Sequence, residues 1–122
     1  MRLFLLKTFD ILDITNYVSK HISEDIQTKD VCRAIGVGKT KLCSLKEYFK
    51  MGIHDYIRTM RINKAKELMI NTPDLGLDEI ALKCGFSDYN YFIYIFRNIV
   101  GITPKKYIKK YQNNEGKNLI SL

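Results

Sequence analysis

The chain has no Cys-x-x-Cys pair, no apolar run long enough to cross a membrane, and no stretch alternating with the two-residue period of a strand. Each absence removes a class of protein. The three cysteines, Cys32, Cys43 and Cys84, are odd in number, widely spaced and set in apolar helical patterns, and neither His21 nor His54 lies near them in sequence. That spacing builds no disulfide framework and no metal site, so neither a metal nor a cofactor is expected. Free buried thiols fit a reducing cytoplasm. The opening "LFLL" is interrupted by Lys7 and is too short for a signal core or a membrane span, so no membrane partner is expected.

A nucleotide site is missing too, although "GVGKT" (36–40) imitates one. A phosphate loop needs a further glycine five residues before Gly38, so that successive backbone N–H groups curl around the phosphates, and it follows a buried strand. Arg33 occupies that position, and "TKDVCRAI" before the turn has helical rhythm. No second acidic strand end is present to hold magnesium. No catalytic residue set emerges, and no enzyme is expected.

What is present is positive charge on a helical chain. Twenty basic and thirteen acidic residues give +7 and a pI near 9.3, a balance suited to a polyanionic partner. At 122 residues the chain makes one domain, or two small ones sharing a helix, and buries about two-thirds of its unfolded surface. Nearly every segment has a period close to 3.6. Ile14, Tyr17, Val18, His21 and Ile22 mark a first amphipathic helix, with Leu3 to Leu12 before it as an interdomain linker or an extra packing helix. Thr28 is placed to cap a second helix that carries Val31, Ala34 and Ile35 inward. A third is expected from Lys39 to about Met51–Gly52. A long fourth carries Ile53, Tyr56, Ile57, Met60, Ala65, Leu68 and Met69 as one continuous apolar face. After the "NTPDLG" break, Leu77 to Cys84 forms a short helix, Ser87 is placed to cap another that ends at Gly101, and Thr103-Pro104 starts the last. Residues 112–122 lack periodicity and are expected to fray.

The second half repeats the first. "TKDVCRAIGV" (28–37) lies over "LDEIALKCGF" (77–86) with acidic, apolar, small and glycine positions in step, and Leu42 answers Phe92. Each copy meets the demands of a helix-turn-helix. A small residue, Cys32 or Ala81, lets the second helix pack close. A glycine four residues on, Gly36 or Gly85, makes the turn where a side chain would be strained. An apolar residue, Val37 or Phe86, fills the corner. The outer helix then has a face free for a major groove, which admits an α-helix.

With those residues in hand, the chain resembles the DNA-binding domain of AraC/XylS-type transcription regulators over residues 14–111. The likeness is carried by "DYIRTMRINKAKELM" (55–69) and "LDEIALKCGFSDYNYFIYIFRNIVGITPKKY" (77–107). It implies an all-α fold of about seven helices. Two helix-turn-helix subdomains (14–52 and 72–111) would be joined by a linker helix (53–71), between an N-terminal extension (1–13) and a flexible tail (112–122). It also implies two recognition helices in successive major-groove segments about 34 Å apart, and a contact with RNA polymerase. Matching the family's base-facing positions are Thr40, Cys43 and Ser44 in the first unit; in the second, with Phe92 taken as core, the outward base-facing candidates are Tyr89, Asn90, Ile93 and Tyr94. Lys39 and Lys41, which flank the first set, Arg97, and Lys105 and Lys106, from the lysine cluster at the start of the last helix, are the expected DNA-phosphate contacts. "KEYFKMG" (46–52) reads as one residue short of the family pattern, without its turn glycine in the usual place. Where many relatives carry a basic residue, this chain has Tyr94. The apolar and aromatic stripe there leaves a second reading open: a protein-interaction module on the same fold, with weakened base readout.

Overall fold

The computed structural model describes residues 2–44, 46 and 50–111, with side chains described for 11–40, 42, 43, 46 and 50–111. The described residues form helices and turns, with no strand among them. In chain order the helices are α1 (Arg2–Lys20), α2 (Thr28–Ile35), α3 (Lys39–Ser44), α4 (Ile53–Asn71), α5 (Leu77–Lys83) and α6 (Tyr89–Val100). A further helical segment, α7, covers residues 104–111. The chain divides into two compact units, Met1–Met60 and Arg61–Leu122, with the boundary inside α4.

Unit 1 is built on aliphatic residues. Ile14 and Val18 of α1, Ile26, Val31 of α2, Leu42 of α3 and Ile57 of α4 form its buried core. Thr15 and Tyr56 share a hydrogen bond of 2.8 Å that ties α1 to the start of α4. The first helix is continuous from Arg2 and does not start at Ile14, so the apolar opening is helical.

Unit 2 is built on rings. Phe92 and Phe96 are fully buried, Phe86 and Tyr107 nearly so, and they pack with Ile62, Ala65, Met69, Ile80, Ala81 and Ile95. Ring centroids lie 5.2 Å apart for Phe86–Phe92, 5.9 Å for Phe92–Phe96 and 5.5 Å for the edge-on Phe96–Tyr107 pair. Such tilted arrangements suit the aromatic quadrupole.

The long α4 departs from the single apolar stripe expected. Ile53, Tyr56, Ile57 and Met60 pack on the unit 1 core, whereas Ile62, Ala65 and Met69 are buried in the unit 2 core. At about 100° per residue these sets fall on different sides of the helix. Ile62, absent from the expected face, is completely buried.

Two caps also shift by one residue. Gln27 takes the N-cap of α2, and the Asp30 carboxylate accepts its backbone N–H at 3.1 Å. Asp88 takes the N-cap of α6, its Oδ1 accepting from the N–H groups of Asn90 (2.9 Å) and Tyr91 (3.3 Å). Thr103 behaves as its sequence suggests, accepting the Lys106 N–H at 3.3 Å ahead of the buried Pro104. The end of the third helix and the tail at 112–122 lie outside the described residues.

Candidate nucleic-acid interface

Each unit contains a tight corner between an inner and an outer helix. In unit 1 the corner is residues 36–38, the same "GVG" that resembled a phosphate loop; a helix precedes it, where a phosphate loop has a strand. Gly36 has φ 72° and ends α2 in the left-handed conformation, while the Val37 N–H reaches back to the Cys32 carbonyl at 3.1 Å. In unit 2, Gly85 has φ 89° and the Phe86 N–H reaches the Ala81 carbonyl at 2.9 Å. Both bonds close the last turn of the inner helix onto a carbonyl that also accepts a second backbone N–H, from Gly36 at Cys32 and from Cys84 at Ala81, and both need a left-handed residue between the partners. The outer helix is then anchored by a buried side chain in its first turns, Leu42 in α3 and Phe92 in α6, where Ile95 and Phe96 are buried as well.

That anchor decides which residues face outward. In α3, Lys39, Thr40 and Cys43 are exposed. Thr40 lies on the side away from Leu42 at helical spacing. Lys39 and Cys43 instead border, with Lys46 and Ile53, a pocket of about 240 Å³ beside the start of α4. Thr28 and His54 line the same pocket and share a hydrogen bond of 3.2 Å. The side chains of Lys41 and Ser44 lie outside those described.

In α6 the four expected base-facing residues separate into two pairs. Asn90 and Tyr94 are exposed, Tyr94 by 61%. Tyr89 and Ile93 are half-buried and packed against the unit 2 core, and the Tyr89 ring lies 6.3 Å from that of Phe92. The exposed face also carries Tyr91, Arg97 and Asn98. Tyr91 and Asn98 were not singled out from sequence. The signal that finds them is the helical wheel: once Phe92, Ile95 and Phe96 are set inward, Tyr94 is opposite and Asn98 follows it by one turn.

Arg97, Lys105, Lys106, Lys109 and Lys110 are all exposed. The α6 N-terminus already holds the Asp88 carboxylate, which uses the N–H groups that would otherwise attract a phosphate. The α7 N-terminus carries a neutral threonine cap beside Lys105 and Lys106. Among the described residues no group of three or more His, Cys, Asp or Glu side chains is placed to hold a metal. None of the described helices is long and apolar enough to cross a membrane. The Cys84 thiol is fully buried, and burial pushes its pKa up from 9.0 to about 11 against the opposing pull of Lys64 and Arg61.

Comparison with known proteins agrees with this geometry. A family model described as "Helix-turn-helix domain" matches residues 31–110. The xylose operon regulatory protein of Escherichia coli (strain K12) is 30% identical over 98 residues, which are 80% of this chain and 25% of that protein. The chain thus spans about a quarter of that relative's length. Among solved structures, a transcriptional regulator from Chromobacterium violaceum, described as an AraC-type DNA-binding domain-containing protein, superposes with a TM-score of 0.80. It is 26% identical and covers 84% of this chain and 92% of its own. The DNA-binding domain of AdpA, solved in complex with a target DNA, shares the fold at a TM-score of 0.75 and 20% identity, covering 84% of this chain and 93% of its own.

Proposed function

The chain belongs to the AraC/XylS-type helix-turn-helix family, and on that footing we propose that it is a sequence-specific, double-stranded DNA-binding transcription regulator that carries out no catalysis. The observation that carries this reading is the duplicated corner. Two inner helices end on a left-handed glycine and the same backbone bond, and each leaves an outer helix with a solvent-facing side. In this reading residues 14–52 and 72–111 are the reading subdomains and 53–71 is the rod between them, setting α3 and α6 into successive major-groove segments about 34 Å apart.

The residues divide by role. Thr40, Cys43 and Ser44 face bases from α3, and Asn90 and Tyr94 do so from α6, with Tyr89 and Ile93 supporting that helix from its core side. Lys39, Lys41, Arg97, Lys105 and Lys106 meet phosphates, which fix register and orientation but carry no sequence information. Lys39 therefore meets a DNA phosphate in place of a nucleotide's. The family resemblance favours activation, through contact with RNA polymerase, and a cytoplasmic setting keeps Cys32, Cys43 and Cys84 as thiols.

The test is a salt titration of affinity on a duplex selected from a random pool. If six to ten phosphates are neutralised, affinity falls by about 10³ to 10⁵ between 50 and 200 mM salt. Lys39→Ala should weaken all sequences alike and lower the slope of log affinity against log salt by about one. A salt-insensitive titration, or a pool with no enriched sequence, would overturn the proposal.

A further inference from the structure

Resting on the DNA-reading function just proposed, the structure assigns a base preference to unit 2: we infer that the outward face of α6 selects A·T pairs, with Asn90 read against adenine and Tyr94 against a thymine methyl. The face is defined by what is buried. Phe92, Ile95 and Phe96 point into the core, Tyr89, Ile93 and Val100 lie at its edges, and Asn90, Tyr94 and Asn98 form the stripe opposite, one helical turn apart. Asn90 is tied to the Asp88 cap through its backbone N–H, at 2.9 Å, so its side-chain amide is left facing solvent.

The chemistry available on that stripe is narrow. Reading G·C from the major groove calls for Arg or Lys on guanine O6 and N7, or for a carboxylate on cytosine N4. The twelve residues of α6 contain no lysine and no acid, and their one cation, Arg97, sits in the last turn, about two turns beyond Asn90, whereas base edges are met from the N-terminal residues of a recognition helix. The function proposed above gives Arg97 to a phosphate. What remains at the centre is an amide and a ring. An asparagine amide donates to adenine N7 and accepts from adenine N6, and an apolar ring surface packs on the thymine methyl. Asn90 and Tyr94 are separated by about 6 Å along the helix axis. That is close to two base-pair rises of about 3.4 Å each, so the adenine and the thymine belong within two steps of each other. Arg97 and Asn98 are positioning residues at the far end of the stripe.

The experiment uses the whole chain and its selected duplex. In the half-site assigned to unit 2, 7-deazaadenine replaces adenine, removing the N7 acceptor, or deoxyuridine replaces thymine, removing the methyl group. The expected losses are about tenfold for the first and about fourfold for the second, with the other half-site indifferent to both. The wild-type arms need no variant to fold. Asn90→Ala should abolish the 7-deazaadenine effect, and Tyr94→Ala the deoxyuridine effect, since each substitution removes the group that senses the change. A bipartite site whose unit 2 half is G·C and responds to Arg97→Ala, or one whose preference survives Asn90→Ala and Tyr94→Ala, overturns this inference alone. A pool that enriches nothing overturns the regulator reading and this inference with it.

Discussion

In unit 1 the corner closes with the Val37 N–H on the Cys32 carbonyl at 3.1 Å; in unit 2 the Phe86 N–H meets the Ala81 carbonyl at 2.9 Å. The backbone device is the same, yet the material around it differs. Val37 is half-buried and Cys32 partly exposed, whereas Phe86 and Ala81 are almost completely buried. Unit 1 draws its core from α1 and small aliphatic groups, and unit 2 from a run of rings that continues into α7. The comparison teaches that the turn specifies only a glycine, a small neighbour and one apolar anchor. How tightly each reading helix is held is then decided by the residues behind it.

The largest expected difference lies at those anchors. Phe92→Ala removes a fully buried ring that meets Phe86 and Phe96, and should cost about 3–5 kcal/mol, as buried aromatic truncations do. Leu42→Ala, at the corresponding position of unit 1, should cost about 2–3 kcal/mol, the lower part of the range for leucine, because its aliphatic surroundings have room to relax. Urea unfolding followed by circular dichroism measures both. Equal losses would remove the distinction between a ring-filled and an aliphatic corner.

Alkaline pH sharpens the same contrast. The buried Cys84 thiol has a folded pKa near 11 against 9.0 for the free group, because desolvation disfavours the thiolate. Tyr107, in the same core, is raised too, first by desolvation and then by its hydrogen bond to Tyr111. In the unfolded chain these groups lose their protons first, so stability is intact below about pH 9 and falls as pH rises through 11. The Cys84 contribution is about 2–3 kcal/mol. Cys84→Ala should flatten that decline when unfolding free energy is followed from pH 8 to 11. A decline of unchanged slope would assign it to other groups.

Much of this arrangement can be read from the chain, and the misses have physical causes. The corners are legible because few residues other than glycine tolerate φ near 72° or 89°. The caps were displaced by one residue because Thr28 and Ser87 are good cappers in isolation, while Asp30 and Asp88 offer charged acceptors that match the helix dipole. Ile62 escaped because a single stripe was fitted to a helix that serves two cores. In α6 the outward set drawn around Phe92 takes in Tyr89 and Ile93, which stand only about 60° and 100° from it on the wheel and are half-buried. Cys43 is exposed on α3 and also borders the pocket beside α4, a surface formed by residues distant in sequence and so invisible in the pattern.

The capping carboxylates allow a finer test. Asp88→Ala leaves the N–H groups of Asn90 and Tyr91 without their acceptor, and should lower stability by about 1 kcal/mol. Asp30→Ala removes a single bond to Gln27, and should cost about half as much. Both are read as shifts in the unfolding midpoint. A larger loss at Asp30 would reverse the proposed ranking of the two units.

The last test concerns a left-handed residue of unit 1; unit 2 has a glycine, Gly101 with φ 95°, at the end of its outer helix. Lys50 has φ 60° and is the one non-glycine among the described residues with positive φ. The sequence lacked a turn glycine at its usual place after the first reading helix, and Lys50 adopts the conformation that glycine would take. A left-handed side chain costs about 1–2 kcal/mol, while glycine gives back about 0.5–1 kcal/mol through the greater freedom of the unfolded chain. Lys50→Gly should therefore stabilise the protein by about 0.5–1 kcal/mol. Gly36→Ala should destabilise it by about 0.5–1 kcal/mol, because an added Cβ there meets no atom within 4 Å and the cost is the same left-handed penalty less the same unfolded-chain term. The opposite signs make the pair decisive: one position already carries the strain that the other would acquire. If Lys50→Gly lowered the unfolding midpoint, a contact made by the lysine would have to outweigh its backbone strain, and the departure from the glycine turn in unit 1 would be a favourable substitution.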